Sequence, residues 1–266
     1  MPSWLMYVAY AVVFLLSSTA LFFFTLTRGA LLLRSATGRS AHDEAHIYPI
    51  YSDMRLIKLI DFQPLIAAIL LFQYDRLVSA ITHGLGLMNL SNKKVLITSC
   101  AFGNVIPRVV KASIESGVHR VLIADIIKNE LLNAHDKTSE YTEKLVFLEE
   151  NAIAMAQADE SVSANVIFFL LHELPHHLKG EALKEAVRVL EPGGKLFLAE
   201  FHRPDVWVLR ALSWTYFKVF EPLGLALWNT HDPVKQLEAI DGVTCTRHTV
   251  FFGNFQVVVA TKALAR

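Results

Sequence analysis

The chain has 266 residues, which is long enough for one large domain with an appendage. Its 25 basic and 25 acidic residues balance, so the net charge gives no support for a nucleic-acid partner. Two cysteines, Cys100 and Cys245, cannot form a disulfide framework and indicate a reducing compartment. The hydrophobic fraction of 53% is high for a soluble enzyme, and the excess lies at the N-terminus.

Residues 4–27 carry no charge and predict a transmembrane helix, because about 20 apolar residues in a helix cross the bilayer core. Arg28, Arg34 and Arg39 follow the C-terminal end of this run. By the positive-inside rule, these arginines predict a main domain that stays in the cytoplasm. We therefore expect residues 1–34 to anchor a single-pass protein in a bacterial inner membrane, or in the mitochondrial inner membrane of a eukaryote.

Two other interpretations of this first segment compete with a membrane anchor. A cleaved signal peptide would have a basic stretch before a shorter apolar run, and this sequence has no such stretch. A helix that is apolar all round is also found in the core of soluble proteins. The anchor is the interpretation that we carry forward.

The next segment, residues 35–90, is expected to hold a polar linker at 35–44 and the N-terminal helices. Apolar residues recur at helical spacing within residues 54–60, which predicts a short helix. Pro64 opens a second helical run that extends to about Ile81. The start of this run is apolar nearly all round, so it is buried in protein or lies against lipid.

From residue 94 onward, strand and helix patterns alternate, and residues 91–266 are expected to form the main domain. Such alternation implies a parallel sheet that is covered by helices on both faces. The strands are predicted near residues 94–98, 121–125, 145–149, 165–170 and 195–200, and the helices near 105–116, 128–140 and 177–190.

The end of the chain changes pattern. Residues 191–194, Glu-Pro-Gly-Gly, predict a turn before a strand. Residues 243–252 and 255–261 flank Gly253-Asn254 and predict a β-hairpin. A parallel sheet that ends in a hairpin, with its last strand antiparallel, predicts the α/β, Rossmann-like, seven-stranded sheet of class I methyltransferases.

An apolar insertion at residues 205–230 interrupts this domain. Within it, residues 206–228 carry three charges, at Arg210, Lys218 and Glu221, which argues against a membrane span. An amphipathic lid or a membrane-facing helix pair is one interpretation. A segment that packs on the core is the other, and the sequence leaves both open.

The first strand leads into an altered nucleotide-binding loop. The usual loop for S-adenosylmethionine (SAM) has an acid at the strand end followed by alternating glycines. Ile97, Ser99 and Ala101 occupy those positions here, and only Gly103 remains. The loop is therefore either specialised or degenerate, since glycines there let the backbone approach a ligand.

Acceptor side chains follow the second and third strands. Asp125 ends the second strand, where a carboxylate can accept hydrogen bonds from both ribose hydroxyls. Its alternative role is to cap the next helix. Asn151 can accept from the adenine amino group, or it forms a loop turn. The predicted cofactor-binding residues are Ser99, Cys100, Ala101, Gly103, Asn104, Asp125, Asn151 and Ala152.

Four segments together resemble the rhodoquinone biosynthesis enzymes (RquA), relatives of the quinone C-methyltransferases. These segments are residues 99–104, 168–175, 191–196 and 200–204. The resemblance covers roughly residues 50–262 and implies a SAM-dependent enzyme that acts on ubiquinone. It implies the conversion of ubiquinone to rhodoquinone, in which an amino group from SAM replaces a ring methoxy group. It also implies a manganese requirement.

Two other functions remain open beside this one. A quinone or lipid methyltransferase would retain the same SAM. A non-catalytic, methyltransferase-like subunit of a membrane complex would have lost it. Titration with SAM separates the last function from the other two.

The expected catalytic residues lie after the fourth and fifth strands. His172 and Glu173 follow the fourth strand at the carboxyl edge of the sheet, where doubly wound folds bind ligands. A histidine beside a carboxylate moves protons or holds a divalent cation, although an exposed surface pair is the alternative. His202 and Arg203 leave the fifth strand at the same edge, where they can meet quinone oxygens or the carboxylate of SAM.

Overall fold

The computed structural model of the chain describes residues 3–25, 29 and 53–264. The predicted linker at 35–44 and the three arginines at 28, 34 and 39 lie outside the described residues. Helix α1 spans Ser3–Phe24, and its segment Trp4–Phe22 is long and apolar enough to cross a membrane. None of that segment is buried, which excludes the core-helix interpretation, while a signal sequence would have the same length and hydropathy.

Three helices precede the sheet: α2 (Met54–Ile60), α3 (Gln63–Ile69) and α4 (Tyr74–Gly86). The prediction of one continuous run from Pro64 to Ile81 is wrong, because α3 and α4 meet at 97°. Leu71 and Phe72 adopt positive φ angles of 50° and 60° at the break. The bend lets α4 bury Leu77, Ile81 and neighbouring residues in the core.

The main domain is built on a seven-stranded sheet with the order β3-β2-β1-β4-β5-β7-β6. Strand β7 is antiparallel to both of its neighbours, and the other neighbouring strands pair in parallel. This arrangement confirms the predicted class I methyltransferase-like sheet. The strands are β1 (Lys94–Thr98), β2 (Arg120–Asp125), β3 (Leu145–Glu149), β4 (Val162–Phe168), β5 (Leu190–Phe201), β6 (Val243–Val250) and β7 (Phe255–Lys262).

Helices cover both faces of this sheet, and the strand periodicity of two decides which side chain meets which layer. In β1, Ile97 packs in the core beneath α4, whereas Leu96 packs in the core on the other face. Gly84 of α4 lies so close to the Phe197 ring that an added Cβ would overlap it. The remaining helices are α5 (Val105–Glu115), α6 (Lys128–Lys137), α7 (His176–Arg188), α8 (Trp207–Val219) and α9 (Pro233–Glu238).

Two predicted turns differ in detail from the structure. The Glu-Pro-Gly-Gly segment lies inside β5, where the pairing with β4 jumps from Val162–Leu190 to Ala164–Lys195. These residues therefore bulge out of the ladder, and Gly193 has a φ of 79°. The β6–β7 hairpin is confirmed, but its turn spans the four residues 251–254.

The apolar insertion forms α8 and a 3₁₀ helix, Pro222–Trp228. One side packs on the core, because Phe217 is buried and touches Gly224 so closely that no Cβ fits there. The other side exposes Trp207 and Leu212 by 75% and 64%. The interpretation that this segment packs on the core describes one face of it, and the lid or membrane-facing interpretation of the other face stays a prediction.

Candidate functional site

A cavity of about 500 Å³ opens at the carboxyl edge of β1 to β5. Its size lies in the range of ligand pockets, about 300–1,000 Å³. Its walls also include residues of α1, α3 and α8. The sequence-predicted site residues that line it are Ser99, Cys100, Ala101, Asp125, Asn151, Ala152, His172 and Glu173.

The altered loop keeps a glycine-like backbone at a position without glycine. Ser99 has a φ of 75°, and its amide donates a 2.8 Å hydrogen bond to the Ala124 carbonyl. The left-handed region costs a non-glycine residue about 1–3 kcal/mol, so neighbouring contacts must hold it. The loop is folded for close approach to a ligand, in spite of its lost glycines.

Asp125 ties this loop to the second strand. One carboxylate oxygen accepts from the Cys100 amide at 2.6 Å and the other from the Ile127 amide at 2.8 Å. Burial raises the pKa of Asp125, although these hydrogen bonds oppose the shift. Helix α6 has no side-chain hydrogen bond at its N-cap, so Asp125 closes a turn before the helix rather than capping it.

The backbone of Gly103 is hydrogen-bonded to the ion pair of Asp61 and Lys137, and Gly103 does not line the cavity. Its amide donates to Asp61, and its carbonyl accepts from the Lys137 ammonium at 2.9 Å. Lys137 also pairs with Asp61 at 2.9 Å. Gly103 has a φ of 81°, and an added Cβ would lie 2.6 Å from the Tyr74 hydroxyl. This crowding explains why the one remaining glycine of the loop is at this position.

Asn104, the last predicted loop residue, also faces away from the cavity. Its amide donates a 3.0 Å hydrogen bond to the side-chain oxygen of Gln63. Gly103 and Asn104 therefore position the loop and do not line the cavity.

The segment after β3 brings two acceptors to the cavity wall. The amide oxygen of Asn151 accepts from the Ile153 amide at 3.2 Å, which closes a turn. Glu150 also lines the cavity, and its Oε2 atom is buried without a hydrogen-bond partner among the described residues. Glu150 was not among the predicted site residues, although Glu150 directly precedes Asn151 in the sequence.

His172 is buried at the centre of an acidic cluster. Its Nδ1 atom lies 3.2 Å from a carboxylate oxygen of Glu200, and its Nε2 atom lies 3.6 Å from Glu173. Burial alone would lower the pKa of His172, but the carboxylates of Glu200, Glu173 and Glu221 outweigh it and raise the pKa to about 9. His172 is therefore an imidazolium at neutral pH, oriented by Glu200.

A buried lysine lies behind this cluster. The Lys179 ammonium donates to the Leu171 carbonyl. Burial lowers the pKa of Lys179 to about 8, and the attraction of Glu200, Glu173 and Glu221 offsets only part of that shift. His172 and Lys179 together neutralise part of the buried negative charge.

Aromatic rings surround His172. The Phe201 ring centroid lies 5.0 Å from that of His172 and 4.8 Å from that of Phe169, each in an edge-on arrangement. Tyr216 and Phe220 of the insertion line the same cavity. Such walls suit a flat, apolar ring with polar atoms at its rim.

His202 does not join the cavity. One ring nitrogen lies 2.7 Å from the Gly253 carbonyl, and the other lies 3.3 Å from the Arg247 guanidinium. These contacts direct the imidazole towards the β6–β7 hairpin. The other two predicted catalytic residues do meet in the cavity.

The described residues contain no group of three or more histidine, cysteine, aspartate or glutamate side chains that could hold a metal ion. Around His172, the carboxylates of Glu173 and Glu200 pair with the imidazole.

Comparison with known proteins finds similarity to a methyltransferase family and to several of its members. The family model described as ubiE/COQ5 methyltransferase matches residues 63–239, about two thirds of the chain. The ubiquinone/menaquinone biosynthesis C-methyltransferase UbiE of Nitrobacter hamburgensis is 34% identical over 121 residues, which are 44% of this chain and 47% of that protein. The demethylmenaquinone methyltransferase of Alkalihalophilus pseudofirmus is 34% identical over 100 residues, 37% of this chain and 42% of that protein.

The chain thus spans about half the length of the curated relatives it matches. Among solved structures, an O-methyltransferase family protein from Burkholderia thailandensis superposes with a TM-score of 0.54 at 15% identity. That match covers 72% of this chain and 57% of the other, and it supports the fold alone.

Proposed function

The chain belongs to the ubiE/COQ5 methyltransferase family, and from this membership we propose that it is a SAM-dependent enzyme of quinone metabolism. The observation that carries the proposal is the cavity in which the loop, Asp125 and the His172 cluster meet. The printed names of the relatives concern ubiquinone and menaquinone, which supports a quinone as the substrate.

The residues around the loop fit SAM in their chemistry. Ser99, Cys100 and Ala101 would line the place of its methionine portion, although the Ser99 and Cys100 amides already donate to Ala124 and Asp125. Asp125 would offer carboxylate oxygens to its ribose. Asn151 and Ala152 would hold the adenine, with Glu150 as a further acceptor. When bound, SAM supplies the group that is transferred.

The finer proposal is the conversion of ubiquinone to rhodoquinone, with amino replacing methoxy. Its support is the altered loop, in which Ser99 and Ala101 add side-chain bulk where the usual loop has none. Such bulk would shift the methionine portion of SAM relative to its place in the usual loop. A shifted SAM suits a reaction in which SAM presents its α-amino nitrogen to the quinone instead of its methyl group. The resemblance of the whole loop to the rhodoquinone enzymes adds to this support.

His172 and Glu173 provide the proton transfers that this exchange needs. A carbon–nitrogen bond would form at the quinone ring as the ring–methoxy bond breaks, and the methoxy group would take up a proton to leave as methanol. The bond between this nitrogen and Cα of SAM would then break by elimination, in which the carbon next to Cα loses a proton and the nitrogen gains one, so that the amino group stays on the ring. In this proposal the His172 imidazolium, oriented by Glu200, donates a hydrogen bond or a proton to a ring oxygen. Glu173 is the neighbouring carboxylate that accepts one.

Manganese, which the resemblance implies, finds no matching ligand group among the described residues. No step of the proposed chemistry is therefore assigned to a metal ion. The proton transfers above rest on side chains of the chain itself.

Membrane attachment is part of the proposal, since a long isoprenoid quinone resides in the bilayer. Helix α1 is a candidate span, and its residues Leu16, Thr19 and Ala20 line the cavity. Phe72 and Trp207 expose 78% and 75% of their surface. These features support a cavity whose mouth meets the lipid interface, with the domain on the cytoplasmic side.

The second candidate is a methyltransferase that acts on a quinone or lipid, which the names of the relatives favour. Mass spectrometry of quinones from cells that express the chain separates the two. An aminoquinone is expected from the first function and a methylated quinone from the second. Calorimetric titration with SAM tests the remaining alternative, a non-catalytic subunit, for which we would see no binding heat.

A further inference from the structure

A buried carboxylic acid that the proposed chemistry leaves unused lies in the cavity wall. Glu130 of α6 exposes only 2% of its surface, and it lines the cavity beside Asp125. Its Oε1 atom is buried and has no hydrogen-bond partner among the described residues. Because an unpaired buried acceptor is costly to a folded protein, this atom points to a ligand that completes its hydrogen bonding.

Charged groups from four parts of the chain act on Glu130. Asp125 at the end of β2, Asp61 after α2 and Glu173 after β4 are negative, and Lys137 of α6 is positive. Burial is the largest influence and, with the repulsion from Asp125, raises the pKa of Glu130 to about 9. The carboxyl group is therefore protonated at neutral pH while the cavity is empty.

We propose that Glu130 is a charge-compensating ligand-binding residue: it holds a proton in the empty cavity and releases it to solvent when a cationic group binds nearby. The inference rests on the proposed binding of SAM, which carries a positive sulfonium and a positive ammonium group. The carboxylate that forms then faces the cation, and the proton goes to the buffer.

The size of the electrostatic effect is sufficient for this exchange. A positive charge within about 4–6 Å lowers the pKa of a carboxyl group by roughly 1–3 units. A shift at the upper end of this range brings the pKa of Glu130 from about 9 to about 6, below neutral pH. An acidic wall of this kind favours a cationic ligand over a neutral one of the same shape.

Calorimetric titration of the full chain with SAM at pH 7.5 tests the proposal, in buffers of different ionisation enthalpy. The slope of the binding enthalpy against the buffer enthalpy counts the protons released. We expect close to one proton per SAM for the wild-type chain and none for Glu130→Gln, which keeps the shape and neutral state of the empty site. S-adenosylhomocysteine, which lacks the sulfonium charge, should release fewer protons.

His172→Asn is the matched control, because His172 is another cavity residue that holds a proton and, like Glu130, is acted on by the Glu173 carboxylate. Release that persists in this variant supports Glu130 as the source. Binding of SAM without any buffer dependence would overturn the inference while leaving the proposed function intact, and so would unchanged release from Glu130→Gln. Failure of the wild-type chain to bind SAM would overturn the proposed function itself, and this inference with it.

Discussion

The backbone amide of Cys100 donates a 2.6 Å hydrogen bond to the carboxylate of Asp125. This hydrogen bond fixes the position of the loop after β1 relative to Asp125 at the end of β2. Asp125 has a double role in the proposed site, because the same carboxylate that would receive the ribose also fixes the loop.

Replacing Asp125 with alanine should lower SAM affinity at least tenfold. The change removes two charge-assisted hydrogen bonds, on the order of 1.5–3 kcal/mol each, and frees the loop. Asp125→Asn should lose less, since its amide oxygen can still accept one bond. Calorimetry measures the affinity, and circular dichroism checks that the fold is retained. Unchanged affinity in both variants would assign the ribose to another residue.

His172→Ala and Glu173→Gln should lose most of the quinone product while SAM still binds. General acid–base help typically contributes about 10²–10⁴ in rate, and these two side chains are the ones placed to give it. The measurements are rhodoquinone formed from ubiquinone and SAM affinity. His248→Gln, on the edge strand β6, is the matched control and should retain full rate. Full turnover in both site variants would leave the pair with a structural role.

The His172–Glu200 pair should make stability depend on pH in a defined direction. The folded-state pKa of His172 is about 9, above its usual 6.5. The protonated His172 therefore stabilises the folded state fully below pH 6.5, and this stabilisation is lost as the pH rises towards 9. The shift corresponds to roughly 3 kcal/mol. Glu200→Gln removes the main favourable partner of the imidazolium.

Thermal unfolding between pH 6 and pH 9.5 measures this effect. The wild-type chain should unfold at a higher temperature than Glu200→Gln at pH 6, and this difference should shrink as the pH rises. Parallel curves for the two chains would contradict a charged His172.

Several parts of the fold follow directly from local sequence patterns. The strands around Leu96, Ile123 and Phe197 are apolar runs with turn signals at their ends, and each forms over its predicted residues, although β5 also extends back to Leu190. The hairpin around Gly253 is confirmed for the same reason. The positions of these strands and of this turn are determined by local β-strand and turn propensities together with the burial of apolar side chains.

Other features depend on contacts between distant segments. At the bend, Leu71 and Phe72 adopt positive φ angles, and the helix that follows packs into the same core cluster as the strands. The sequence near the bend does not predict this packing. Glu200 could have been predicted as a site residue, since it is an acid in the otherwise apolar end of β5. His202 follows it by two residues but is drawn to the hairpin by the Gly253 carbonyl.

Membrane contact should be visible in tryptophan fluorescence. Trp207 is exposed on α8, whereas Trp228 packs against the Phe217 ring at 5.8 Å. Full-length chains that keep one of these tryptophans, with the others replaced by phenylalanine, are reconstituted in vesicles with brominated acyl chains. The Trp207 chain should be quenched strongly and the Trp228 chain weakly. Weak quenching of both would place the cavity mouth away from the lipid.

The most direct test of the proposed reaction follows two labels of SAM through one turnover experiment. The purified full chain in detergent receives ubiquinone and SAM that carries ¹⁵N in its amino group and ¹³C in its methyl group. Mass spectrometry of the extracted quinone should show an aminoquinone with ¹⁵N and without ¹³C. A quinone that gains ¹³C and retains its methoxy groups would contradict the account and establish methyl transfer instead.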